Sequence, residues 1–68
     1  MAKARIKNRI RELREASEMT QSQLAKLCGC TRQTIIMLEQ ERYVPSLSLA
    51  FGIADVFDVC IDDIFKPG

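Results

Sequence analysis

Sixty-eight residues, 47% hydrophobic and 28% charged, make one small domain spanning 1–68, whose core is marginal unless it is packed well or shared with a partner. No apolar run approaches the length that crosses a membrane, and the polar opening Met1 to Arg5 has no apolar signal segment behind it, so a cytoplasmic location is expected. With no histidine and no constellation of carboxylates or nucleophiles, the chain offers no acid–base or covalent catalyst; no enzyme, cofactor or small-molecule ligand is expected.

The net charge of +1 conceals a division. Through Arg32 the chain carries eight basic and three acidic residues, and beyond it two basic and six acidic. Such polarity suits a molecule that turns one face to a polyanion, although solvation of a small protein's surface would explain the charges as well.

In chain order, Ile6, Ile10 and Leu13 fall at i, i+4, i+7 and predict a first helix from about Ile6 to Ser17 with one core face. Met19 is an apolar plug beneath the turn that follows. Thr20 and Thr31 each stand where a hydroxyl accepts from first-turn N–H groups and start helices over Gln21 to Cys28 and about Arg32 to Gln40. Leu24, Ala25, Leu27 and Cys28 recur at helical spacing in the first of these, as do Ile35 and Leu38 in the second. Gly29 suits the left-handed turn between them.

The helix from Arg32 has two sides. At about 100° per residue, Arg32, Gln33, Ile36 and Met37 share one arc and Thr31, Ile35, Leu38 and Glu39 the other. Two apolar residues beside Arg32 and Gln33 on an outward arc fit base edges, since arginine reads guanine, glutamine reads adenine and an apolar side chain packs on a thymine methyl. Burial of Ile36 and Met37 against another element or a second copy is the alternative. Glu39, among core residues, needs a cation, and Arg14 is the natural one.

Val44 before Pro45 is expected to be extended. Ser46 then caps a helix over about Leu47 to Phe57 with an apolar stripe of Leu49, Ile53, Val56 and Phe57. A short fifth helix in VCIDDIF carries Asp62 and Asp63 in its first turn and ends at Pro67 and Gly68. The three cysteines, Cys28, Cys30 and Cys60, are too few for a closed zinc site without histidine, and an odd count argues against a disulfide framework. No metal site is expected and core filling is favoured, with a thiol switch next to the Arg32 helix as the alternative.

The series Gln21, Ala25, Gly29, Ile35, Glu39, within the unit 20–40, resembles the helix-turn-helix of the Cro/repressor (Cro/C1-type, XRE) family of transcription regulators. The likeness runs from about Lys7 to Phe65 and includes RIRELREA, RYVPSLSLAFGIADVF and IDDIF. It implies an all-α, compact five-helix domain like that of lambda repressor, with the second helix of the pair in the major groove of double-stranded DNA. Arg32, Gln33, Ile36 and Met37 would then read bases, and Gln21, Thr31, Thr34, Arg42 and Tyr43 would meet phosphates, Tyr43 covering the core edge as the alternative. Arg14 and Glu39 would form a largely buried structural pair. A regulator this small is expected to repress as a homodimer on a palindromic operator. Its contacts would come from segment 58–68, through Ile61, Ile64 and Phe65, and from the adjoining end of the helix before it, with Met1 to Arg5 contributing. A protein-binding adaptor using Ile36 and Met37 is the competing class, and it would lack the steep salt dependence of DNA binding. The sequence departs from the family pattern at Gln40 and Glu41, where an Asn-Gly pair is common, and at Cys60, where Ser or Thr is. Some members add a C-terminal strand pair, and this sequence ends almost too early after the fifth helix to do so.

Overall fold

The computed structural model describes residues 6–68; the expected contribution of Met1 to Arg5 lies outside them. A strand β1 (Ile6–Asn8) is followed by helices α1 (Ile10–Ala16), α2 (Gln21–Cys28), α3 (Arg32–Glu39), α4 (Leu47–Phe57) and α5 (Ile61–Ile64), and a strand β2 (Phe65–Pro67). The five helices stand near their expected positions, but the domain is not all-α. β1 pairs antiparallel with β2, with Ile6 opposite Pro67 and Asn8 opposite Phe65, so the first helix begins at Ile10 rather than at Ile6. The helical spacing of Ile6 and Ile10 misled because it is equally met by a half-buried strand residue and a buried helix residue. The chain does not end too early for a strand pair: the partner is at its other end.

Each helix start has a local cause. Thr20 Oγ1 accepts from Gln23 N at 3.0 Å while Gln23 Oε1 accepts from Thr20 N at 2.8 Å, a reciprocal cap. Thr31 and Ser46 accept from Thr34 N and Leu49 N. At Cys60 the cap runs the other way, Asp63 accepting from the Cys60 N–H at 3.0 Å, which compensates for the missing hydroxyl.

The helix ends share one device. After α1, α2, α3 and α4 the chain turns through a left-handed residue, Glu18, Gly29, Glu41 and Asp58 respectively. In each turn the two following N–H groups bond back to the last-turn carbonyls, as Glu41 N does to Leu38 O (2.9 Å) and Arg42 N to Met37 O (3.0 Å). Gly29, at φ 72°, is the glycine among them; the three acidic residues adopt a backbone that L-residues reach only at a cost of about 1 kcal/mol or more.

Ile10, Leu24, Ala25, Ile35, Leu38, Ile53, Ala54 and Ile64 form the buried cluster, drawn from all five helices. Leu27, by contrast, is 61% exposed despite its helical spacing with Leu24, because it sits at the edge of the arc that α2 turns inward.

Candidate nucleic-acid interface

Ile35 and Leu38 are completely buried and pin one side of α3 to the core. The opposite side follows from their spacing: Arg32 and Gln33 are exposed, and Ile36 and Met37 are half-buried. The arc inferred from the helical period is therefore turned outward, with the polar pair at the N-terminal turn and the apolar pair one turn on. Beside it lies an open groove of about 650 Å³ whose walls include Arg11, Thr20, Gln21, Ile36 and Gln40. Glu15, Glu18 and the paired Glu39 line it too, so basic, acidic, amide and apolar groups face the same space.

At the N-terminal end, Thr31 Oγ1 lies 3.2 Å from Thr34 N and 3.0 Å from Thr34 Oγ1. When the Thr34 hydroxyl donates to Thr31, the Thr31 hydroxyl proton is left free to point outward. Either hydroxyl can be the donor of that pair; Thr31 is exposed and Thr34 half-buried.

The C-terminal end of α3 is held by a polar network. Arg14 Nε and Nη2 donate to the two Glu39 oxygens at 2.6 and 3.1 Å, and Arg14 Nη1 donates to Met19 O at 2.9 Å. Only 12% of the arginine side chain and 5% of the glutamate are exposed. The hydrogen bonds to Glu39 raise the Arg14 pKa above its ordinary value, prevailing over burial, which lowers it. Gln21 Nε2 also donates to Glu39 Oε1, at 3.1 Å. Every buried side-chain polar atom among the described residues has a partner, which is the condition under which a buried pair is tolerated. The pair expected from the sequence is present, and Gln21 is coupled to it.

A helix-turn-helix family profile matches residues 10–64, which contain α1 through α5 and the whole of this surface. The chain belongs to the helix-turn-helix family of Cro/C1-type (XRE) DNA-binding transcription regulators. It is 50% identical over 60 residues to an uncharacterized HTH-type transcriptional regulator of Archaeoglobus fulgidus, covering 88% of this chain and 84% of that one. It is 40% identical over 60 residues to the HTH-type transcriptional regulator YgzD of Bacillus subtilis, covering 88% and 91%. Among solved structures, the restriction-modification controller protein C.AhdI from Aeromonas hydrophila superposes with a TM-score of 0.76 at 31% identity, over 81% of this chain and 83% of that one. A putative DNA-binding protein from Bacteroides fragilis shares the fold, with a TM-score of 0.80 at 23% identity over 90% and 98%.

In this Cro/C1-type regulator the remaining site residues divide. Arg42 is exposed and follows the left-handed Glu41 directly, and Tyr43 is 41% exposed. Of the segment 58–68, Ile61 and Phe65 are half-buried and packed against the core, and Ile64 is fully buried within it. Ile64 is spent inside its own protomer and is unavailable to a second copy. Cys28 and Cys30 are half-buried; burial, and for Cys28 the neighbouring Cys30, push both thiols up, Cys28 to about 11. Both are protonated at neutral pH, which is the unreactive form.

The role of Asn8 in holding α3 escaped the sequence reading. Asn8 Nδ2 donates to Leu38 O at 2.7 Å and Asn8 Oδ1 accepts from Ile10 N at 3.1 Å, while the Asn8 N–H donates to Glu41 Oε2 at 3.1 Å. One asparagine thereby ties the start of α1 to the end of α3, and the glutamate that replaces the family's glycine gains an acceptor role. An asparagine two residues before the first buried isoleucine is a helix-start signal, and it was the available clue. Among the described residues no helix is long and apolar enough to cross a membrane.

Proposed function

We propose that the chain is a sequence-specific double-stranded DNA-binding regulator that reads base edges with Arg32, Gln33, Ile36 and Met37 and represses by occupying a palindromic operator as a homodimer. The observation that carries the reading is the outward arc of α3. An arginine, a glutamine and two half-exposed apolar side chains on a helix whose other side is locked by Ile35 and Leu38 match the donors, acceptors and methyl groups of the major-groove floor.

The positioning contacts surround that arc. Thr31 offers a hydroxyl at the N-terminal end of α3, and Arg42 a charge and Tyr43 a phenol beyond its C-terminal end. Gln21 retains one amide N–H and its backbone N–H at the start of α2 after giving its other amide hydrogen to Glu39, so it meets a phosphate in an orientation set by the buried pair. Thr34, half-buried beside Thr31, supplies the second hydroxyl of that turn.

Selection of bound fragments from random duplex DNA, at one fixed salt concentration, tests this reading. An inverted repeat should emerge. Arg32→Ala and Gln33→Ala should each cost about 1–3 kcal/mol on it and relax choice at different positions of each half-site. If both variants return the original repeat with undiminished preference at every base pair, α3 is not the reader.

A further inference from the structure

We infer that the homodimer is built on the exposed side of α4 and the loop before it, through Val44, Leu47 and Phe51, rather than on segment 58–68. This rests on the homodimer reading above and deepens it. Five large hydrophobic residues of the described chain are exposed, and four of them, Tyr43, Val44, Leu47 and Phe51, fall within nine consecutive positions. Leu47 is 69% exposed, Val44 60% and Phe51 54%. Leu47 and Phe51 are one helical turn apart, so they share a face, and the other face of α4 is committed to the core through Ala50, Ile53 and Ala54.

Charge argues for a second copy as the occupant. No charged residue occurs from Tyr43 to Ala54, in a chain that is 28% charged. In a two-fold contact every group near the axis meets its own equivalent, so a charge there would face a like charge; the stretch around Leu47 and Phe51 carries none, and Asp55, the charge on the outward arc of α4, lies one turn beyond Phe51. The run is bounded by Arg42 at one end and Asp55 at the other. A foreign partner would impose no such restriction on the sign of the patch.

Gly52 is an independent observation. It lies in the middle of α4, where glycine costs about 1 kcal/mol relative to alanine, yet a Cβ built on it meets nothing within 4 Å. Nothing inside the protomer requires the missing side chain. On the helical wheel Gly52 falls on the same outward arc as Phe51 and Ser48, where bare backbone lets another surface approach closely.

Leu47→Glu and Phe51→Glu test the assignment, because both side chains are exposed and their replacement leaves the protomer's core intact. Sedimentation equilibrium should show the unmodified protein as a dimer and each variant with a dissociation constant raised about 30-fold or more. Their helical circular dichroism should be unchanged, and each should keep weak, salt-sensitive binding to a single half-site duplex. Dimers that persist undiminished in both variants would overturn the inference while leaving base reading by α3 in place, as would a wild-type protein that is monomeric at high concentration with and without DNA. A dimer that dissociates in the variants while no salt-sensitive DNA binding is found for the wild type would uphold the interface and remove the function it was meant to serve.

Discussion

Two polar tethers hold the C-terminal end of α3, and they are built from opposite materials. On one side, Arg14 and Glu39 are charged, bidentate and nearly sealed from water. On the other, Asn8 reaches the Leu38 carbonyl with a neutral amide at a part-buried position, and its N–H meets the exposed Glu41. The first tether carries a large desolvation cost that only its own partner offsets, so breaking it leaves a stranded charge. The second exchanges protein hydrogen bonds for water at little loss. One region therefore fails all at once and the other by degrees, although both position the same helix.

The strongest way to break the contrast is Arg14→Ala or Glu39→Ala. Each should destabilise the protein by about 3–5 kcal/mol, with the double variant losing clearly less than the two singles combined. Denaturant unfolding of all four proteins decides it, and strict additivity would mean the two residues do not interact. Asn8→Ala comes next, at about 1–3 kcal/mol, because it removes both the Leu38 contact and the acceptor for Ile10 N. Amide exchange should locate its loss at the start of α1 and the end of α3, whereas loss of Arg14 should lower protection everywhere.

Glu41 sharpens the comparison further. Glu41→Ala keeps the left-handed backbone at φ 60° and discards the bond to Asn8. Glu41→Gly discards the same bond and relieves the backbone, so it should be the more stable of the two by about 1 kcal/mol. Equal melting temperatures would show that the turn stores no strain.

The smallest expected effect separates the tethers by pH. Arg14 has its pKa raised by its hydrogen bonds to Glu39, so its contribution is complete below the ordinary guanidinium range and the pair is unaffected by moderate alkali. Cys28 is also raised, from about 9 to about 11. The unfolded thiol ionises first, so the stability this cysteine contributes is complete below about pH 9 and is lost as the pH rises towards 11. Cys28→Ala should flatten the stability profile over that interval, while Glu39→Ala should leave its slope unchanged.

What was legible in the sequence was local or periodic. Thr20, Thr31 and Ser46 announce helix starts because a hydroxyl cap acts within three residues. Ile35 and Leu38 announce the inner side of α3 because burial follows the helical period. The Arg14–Glu39 pair needed both the wheel and the family likeness. Features that depend on partners far along the chain were not legible: the strand character of Ile6–Asn8 depends on Phe65–Pro67, and Ile64 belongs to the core only once α5 is laid against Ile10 and Ile53. The outward side of α3 was inferred before the structure, whereas the apolar side of α4 was hidden. Its stripe Leu49, Ile53, Val56, Phe57 satisfied the core and left Leu47 and Phe51 unremarked.

The pairing of β1 with β2 also bears on the order in which the molecule assembles. Ile6 and Pro67 are at opposite ends of the chain, and closing so long a loop from the unfolded state costs about 3–4 kcal/mol of entropy for a contact of three residues a side. Once α1 to α5 have condensed, the same two segments are already neighbours, because Ile10 and Ile64 share the core and Arg9 N bonds to Ile64 O at 3.0 Å. The helical nucleus therefore forms first and the strands zip last. Substitutions at Lys7 or Lys66 should accordingly change the rate of unfolding and leave the rate of folding nearly untouched.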